Sequence, residues 1–297
     1  MRPDLNRTAR RWGAALVLSA ACPAAAIAQS ATRVLYARAV EPTAAFKIFD
    51  PAGTIRLVGW DRDSLLVRGR IGAGSRFFSG ITARGGKFGV EPTDGGDPSP
   101  SELVVYVPRH GQLSVKSASA DIRGQDVSGW FYSVSGTISL SGVSTSIEVE
   151  SMNGNVSLDV TAPWVRARTG DGHLLLRGGA QDVDAATIGG TLDVATPSVL
   201  RGRFASVTGD IHYVGAPPAG GIFEFSNHSG AVDFLLPPRA GGVYELSTVS
   251  GDIVNGYTQV RPATQPRGGR SLRLDLGPDG GHVTVRTFKG PIRLRRQ

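Results

Sequence analysis

One cysteine occurs in 297 residues, and it is Cys22, close to the start. If the segment from Met1 to Ala28 is removed, none remains, which excludes disulfides, thiol catalysis and cysteine-held metals from the rest of the chain. Apolar runs are short: the longest, from Trp12 to about Ala21, falls below the roughly 20 residues that a membrane span needs, and no later segment could cross. No amphipathic helix of convincing length can be traced between Gln112 and Val254. His110, His173, His212, His228 and His282 are scattered, with neither a helical i, i+4 pair nor a metal-binding cluster among them.

The beginning of the chain has the marks of export. Residues 1–28 carry Arg2, Arg7, Arg10 and Arg11, then the apolar run, then Ala26, Ile27 and Ala28 before Gln29, the pattern of a secretory signal peptide. Lipoprotein processing at Cys22 is the rival, opposed by Ser19, which stands where a lipoprotein box wants an aliphatic residue. Export predicts a periplasmic, cell-surface or extracellular location. Removing the signal leaves 28 Lys+Arg against 24 Asp+Glu, a net of +4. Residues 255–297 hold nine Lys/Arg against Asp275 and Asp279, so the basic character gathers at the C-terminal end.

What the chain has in quantity is one repeated frame. Residues 147–158 show it: alternating apolar positions, a Ser or Thr, a glycine three residues later, and alternation again. Alternation of period two marks strands with one buried face, and glycine marks the corner between them. The corner recurs at Ala120, Gly136, Gly154, Gly172, Gly190, Gly209, Gly230, Gly251 and Gly290. Three residues before each stands a small hydrogen-bonding side chain: Ser117, Ser133, Ser151, Thr169, Thr187, Ser206, Asn227, Thr248 and Thr287. Two residues after each stands an aliphatic one: Ile122, Ile138, Val156, Leu174, Leu192, Ile211, Val232, Ile253 and Ile292. A further copy at Phe46, Ile48, Asp50, Gly53, Ile55 and Leu57 opens the domain.

Units of about 18 residues suit two short strands and two corners, one rung of a β-solenoid. Rungs stacked in parallel about 4.8 Å apart would share one core. The Ser/Thr column would satisfy backbone groups left open by the corner, and the glycine would supply torsions that a Cβ penalises. The expected fold is all-β, a single-domain β-solenoid over residues 40–295. An antiparallel meander or sandwich is the alternative, since Asn153-Gly154 would also suit a hairpin. Constant spacing of one residue type in one column favours stacking. Residues 29–39 read as a linker, with loop insertions at 72–101 and 255–270, the first with a hairpin arm over 81–90. Strands are expected at 64–71 and 102–108, and the strands at 272–276, 282–286 and 291–294 as a terminal cap.

The corner phrases Val134-Ser-Gly-Thr-Ile138, Val207-Thr-Gly-Asp-Ile211 and Val249-Ser-Gly-Asp-Ile253, with the opening Gly53-Thr-Ile-Arg-Leu-Val-Gly-Trp-Asp61, resemble a bacterial family described as "putative adhesins". These are β-strand-repeat domains of unknown function on exported or membrane-anchored envelope proteins. The resemblance spans residues 40–295. It implies a solenoid-like fold and an envelope location, and it carries over no catalytic residue.

Chemistry along the repeat is sparse. The column after the corners reads Asp121, Thr137, Asn155, Asp171 one place early, Thr191, Asp210, Ala231 and Asp252, with no aspartates on neighbouring rungs. Stacked carboxylates would repel without a cation, and calcium needs six to eight oxygens, so this column reads as turn-forming residues. Glu148, Glu150 and Asp159 with Arg166 and Arg168 could be assembled into a polysaccharide-acting site, but cross-rung ion pairs explain them as well. His173 beside Asp171 is the one suggestive local pair, and alternation turns His212 outward. No catalytic residue, metal or cofactor is therefore expected. The expected role is a non-enzymatic interaction or scaffold module of the envelope, with an envelope protein or glycan as partner, bound by strand faces or by the two loops. Arg273, Arg286, Arg293 and Arg295 could dock an anionic surface, although they also fit a solvated strand face. Nucleic acid is not expected, because only Tyr257 and Phe288 interleave with the basic end.

Overall fold

The computed structural model describes residues 33–93, 98–196, 198–266 and 268–297. The segment expected as a signal peptide, residues 1–28 with Cys22, lies outside the described residues. Within them the chain forms 26 strands and no helix, with ladders that are largely parallel, the architecture of a β-solenoid. No helix among the described residues is long and apolar enough to cross a membrane.

Each rung contributes two strands. The strand before the corner joins a leading ladder and the strand after it joins a trailing ladder. In the leading ladder Gln112–Ser117, Ser128–Ser133 and Ile147–Ser151 pair in parallel and in register, as do Ala180–Thr187, Arg201–Ser206 and Ile222–Asn227 further on. In the trailing ladder Asp121–Gln125, Ile138–Val143, Leu174–Arg177, Leu192–Ala195, Ile211–Val214 and Val232–Leu236 stack alike. The long strand Val156–Thr169 serves both, its first half trailing in one rung and its second half leading in the next. Every one of these pairings is parallel, which excludes the meander.

The predicted columns occupy the predicted places. The aliphatic residues two after the corner are 0–5% exposed, and the Ser/Thr/Asn column is buried throughout. Ser117, Ser133, Ser151 and Thr248 each accept the backbone N–H of their corner residue at 2.7–3.0 Å, and Asn227 Oδ1 accepts that of Gly230 at 3.0 Å. Thr169 and Thr287 donate to corner carbonyls instead. A buried corner thus loses few hydrogen bonds, each of which would cost about 1–3 kcal/mol if left open.

The glycine column has a different cause from the one expected. Among the corner glycines only Gly53 has positive φ, at 117°. A Cβ on Gly154 would lie 2.1 Å from the Gly136 carbonyl oxygen; on Gly172, 2.1 Å from that of Gly154; and on Gly190, 1.9 Å from that of Gly172. Close stacking of rung on rung, rather than torsional freedom, requires glycine here. Ala120 stands at the one corner whose underlying rung bends differently, through Pro51 and Gly53.

At both ends the order of rungs departs from the order of the chain. Residues 85–108 form a rung through Gly85–Pro92 and Ser101–Pro108, stacked outside the opening rung of Ala45–Phe49 and Gly53–Trp60. The insertion expected at 72–101 is therefore largely hairpin, Ser75–Thr82 against Gly85–Pro92, built into the stack rather than hung on it. Residues 33–39, expected as linker, form the strand Arg33–Ala39, which pairs antiparallel with Ser64–Arg70 and covers an edge. Toward the C-terminus His282–Thr287 and Ile292–Arg296 slip between the Gly230 and Gly251 rungs instead of capping the stack. The cap is Arg270–Asp275, antiparallel to Val243–Thr248. Between the strands Ile253–Asn255 and Arg270–Asp275, the described residues of the excursion expected at 255–270 hold the two-residue strand Ala263–Thr264. Antiparallel pairing is confined to these ends, where edges need covering.

One core runs through the stack. It is aliphatic in the middle and aromatic toward the C-terminal end, where Phe204, Tyr213, Phe223, Phe225 and Phe234 pack with ring centroids 4.9–6.5 Å apart. Burial pushes the Tyr213 and Tyr244 hydroxyls above their ordinary range.

Candidate interaction surface

With the interior filled by side chains, anything this chain binds must meet its outer faces, its corners or its ends. On the leading face the signs alternate rung by rung along one column: Glu148, Arg166, Asp184, Arg203, Glu224. Arg166 lies 3.4 Å from Glu148 and 3.8 Å from Asp184, and Arg203 lies 3.3 Å from Glu224. Arg168 turns to Asp184 at 3.8 Å, while Glu150, in register with it, makes no ion pair among the described residues. The Glu148/Arg166 grouping is thus a cross-rung ladder. Asp159 stands apart from it on the trailing face, in register with Arg177.

Three of the polar residues after the corners, Asp121, Asn155 and Asp210, cap backbone, while Asp252 pairs with Arg270. Asp121 Oδ1 accepts the N–H of Thr137 at 2.9 Å, Asn155 that of His173 at 2.9 Å, and Asp210 that of Ala231 at 2.7 Å. Each of the three accepts from a backbone N–H of the next rung, at Thr137, His173 and Ala231. Among the described residues no cluster of His, Cys, Asp or Glu has the geometry to hold a metal. His173 pairs not with Asp171 but with Asp193 on the next rung, at 2.7 Å, and His212 faces outward to Asp233 at 3.5 Å. Asp233 also holds Arg293 at 3.2 Å.

The basic C-terminal end is partly neutralised in the same way. Arg273 bonds Glu245, Arg270 lies 3.1 Å from Asp252, and Arg296 donates to the Pro238 carbonyl while lying over Tyr257. Arg286 and Arg295 make no ion pair among the described residues and sit in different columns.

A feature that period-two reading misses is the line of residues just after the Ser/Thr column. Val134, Met152, Gly170, Ile188, Val207, His228, Phe288 and Val249 follow one another up the leading corner, tied by backbone bonds from rung to rung. Met152, Ile188, Val207, Phe288 and Val249 are 44–59% exposed. His228 stacks on Phe288, ring centroids 5.0 Å apart. At rung spacing the ridge is about 34 Å long. Gly170 interrupts it, opening a recess of about 530 Å³ floored by Tyr132, Met152, Ala186 and Ile188 and edged by Glu150, Arg168 and Asp171. The signal was available in the sequence as a column of its own, once aligned on the corners.

The folded region is thus a capped β-solenoid with hydrogen-bonded corners, cross-rung ion pairs outside and one exposed apolar edge. No family model matches this chain, and no curated protein matches it. Among solved structures it is similar to a "putative cell adhesion protein" from Clostridium sporogenes ATCC 15579, at 9% identity and a TM-score of 0.23, covering 90% of this chain and 100% of that one. It is also similar to a "putative adhesin" from Bacteroides fragilis NCTC 9343, at 11% identity and a TM-score of 0.44, covering 89% of this chain and 98% of that one.

Proposed function

We propose that this chain is an exported, non-catalytic interaction module of the bacterial envelope, adhesin-like in the sense that a rigid rod presents an extended surface to a partner. The observation that carries the reading is the apolar corner ridge. Soluble chains seldom leave a row of large apolar side chains such as Met152, Ile188, Val207, Phe288 and Val249 in water, and such patches mark contact surfaces. Solenoids bind through extended surfaces of this kind, because each rung repeats the geometry of the last. The signal-like start, with Arg2, Arg7, Arg10 and Arg11 before an apolar run and Ala26-Ile27-Ala28, supports work outside the cytoplasm.

The test immobilises the chain from Gln29 to Gln297, exposes it to envelope extract, and compares it with the double substitution Ile188→Lys and Val207→Lys. Both positions are solvent-facing, so the bait should fold, which circular dichroism checks. The expected result is a partner retained by the native bait and reduced at least tenfold by the variant. Equal recovery on the two baits would remove the ridge as the contact surface.

A further inference from the structure

Among the described residues, where two charged side chains stand in register on neighbouring strands their signs are opposite, with two exceptions. Lys47 lies beside Lys87 on the leading face, and Arg56 beside Arg123 on the trailing face. The second is the more unusual. Arg56 and Arg123 are distant in the chain and exposed, and their side chains make no ion pair or hydrogen bond among the described residues. Arg68, two strands further out in the same column beyond Val104, is likewise without an ion pair there. Like charges on adjacent strands destabilise a sheet, so their retention needs a cause.

Their surroundings supply one. Arg56 and Arg123 line a shallow groove of about 380 Å³ together with Gln125, Ser139, Ser157 and Asp159. Ser139 and Ser157 continue the arginine column rung by rung, so the groove offers two guanidinium groups and then two hydroxyls at steps of about 4.8 Å. Gln125 and Asp159 flank this line one column over. Beyond them Tyr106 packs on Trp60, ring centroids 5.1 Å apart, with Arg62 over the indole at 5.2 Å.

We propose that this groove binds an acidic oligosaccharide, its carboxylate held by Arg56 and Arg123 and its hydroxyls by the Ser139, Ser157, Gln125 and Asp159 side chains. This rests on the reading of the chain as an interaction module and names a ligand class for it. Paired arginines suit a carboxylate, which they grip with two parallel N–H bonds. Asp159 and the serines need a ligand that donates as well as accepts, as sugar hydroxyls do. An acidic peptide fits less well. Extended peptides bind by adding to a sheet edge, whereas the backbone beneath this groove already pairs on both sides, Thr54–Val58 with Glu102–Tyr106 and with Asp121–Gln125.

The experiment titrates the chain from Gln29 to Gln297, at low salt, with a hexamer of galacturonate, a neutral glucose hexamer and poly-glutamate. Binding of the uronate hexamer alone is expected, weakened about tenfold by Arg56→Gln or Arg123→Gln and unchanged by Lys47→Gln. Thermal midpoints of the variants show that they remain folded. No uronate binding, equal binding of the neutral hexamer or of poly-glutamate, or equal loss with Lys47→Gln would each overturn the proposal. The ridge is read separately: a partner lost on Ile188→Lys/Val207→Lys but kept on Arg56→Gln/Arg123→Gln would leave the module standing and this ligand fallen.

Discussion

Asp50 occupies the place in the opening rung that Ser, Thr or Asn fills at each corner from Ser117 to Thr287, and it should make stability fall as pH rises. It is fully buried, and neither carboxylate oxygen has a hydrogen-bond partner of ordinary geometry. Burial pushes the carboxyl from 3.8 up to about 7, only partly opposed by the Ala52 backbone N–H. The unfolded chain releases this proton near 3.8, while the folded one keeps it to about 7, so folding takes up a proton within that window. Asp50 therefore costs nothing below pH 3.8, costs progressively more as pH rises through the window, and reaches its full cost above 7. Moving the titration from 3.8 to about 7 corresponds to roughly 4 kcal/mol as an upper bound. Asp50→Asn removes the charge and keeps the shape, and an amide already works in this column: Asn227 accepts from Gly230 and donates to the Gly209 carbonyl at 2.8 Å. Urea unfolding of both proteins from pH 3.5 to 8.5, followed by circular dichroism, gives the difference in midpoint at each pH; equal slopes make the midpoints comparable. The variant should match the native protein within about 1 kcal/mol at pH 3.5 and exceed it by about 2–4 kcal/mol at pH 8. A difference independent of pH would refute the argument, since every other titrating group is common to both chains.

Three further outcomes follow from the stack. Gly172→Ala should destabilise by about 3 kcal/mol or more, because its Cβ meets the Gly154 carbonyl, whereas Ala120→Gly should change the unfolding free energy measured in urea by about 1 kcal/mol or less. Ile211→Asp, which buries a charge at a fully buried position, should abolish the cooperative transition, while His212→Ala next to it should cost no more than about 1 kcal/mol. Arg166→Gln, on the charged ladder, should cost less than about 1 kcal/mol despite its two acidic neighbours, and the loss should shrink in 1 M salt.

The inward columns and the rung length could be read before any coordinates because stacking is a local rule. Each rung meets the unit before it or after it in the chain, and the same small, polar or aliphatic side chain must recur at the same point for the layers to close. Burial of Ile138, Val156 and Leu174 and the corner bonds of Ser133 and Ser151 follow from that alone. Period two tells which face of a strand is buried, but not which strand lies beside it. A parallel ladder accepts any rung with matching columns, so the sequence leaves open whether the Gly290 rung follows Gly251 or precedes it in the stack. Packing placed it between Gly230 and Gly251, where Arg270–Asp275 could then cover the last open edge. The role of the corner glycines likewise became clear only from the carbonyl of the rung beneath. The candidate groove belongs to the same category: Arg56 and Arg123 look like ordinary outward residues in their own strands, and they become neighbours only because Gly85–Pro92 and Ser101–Pro108 stack on the outer side of the first rung and Gln112–Ser117 and Asp121–Gln125 return the chain to its inner side.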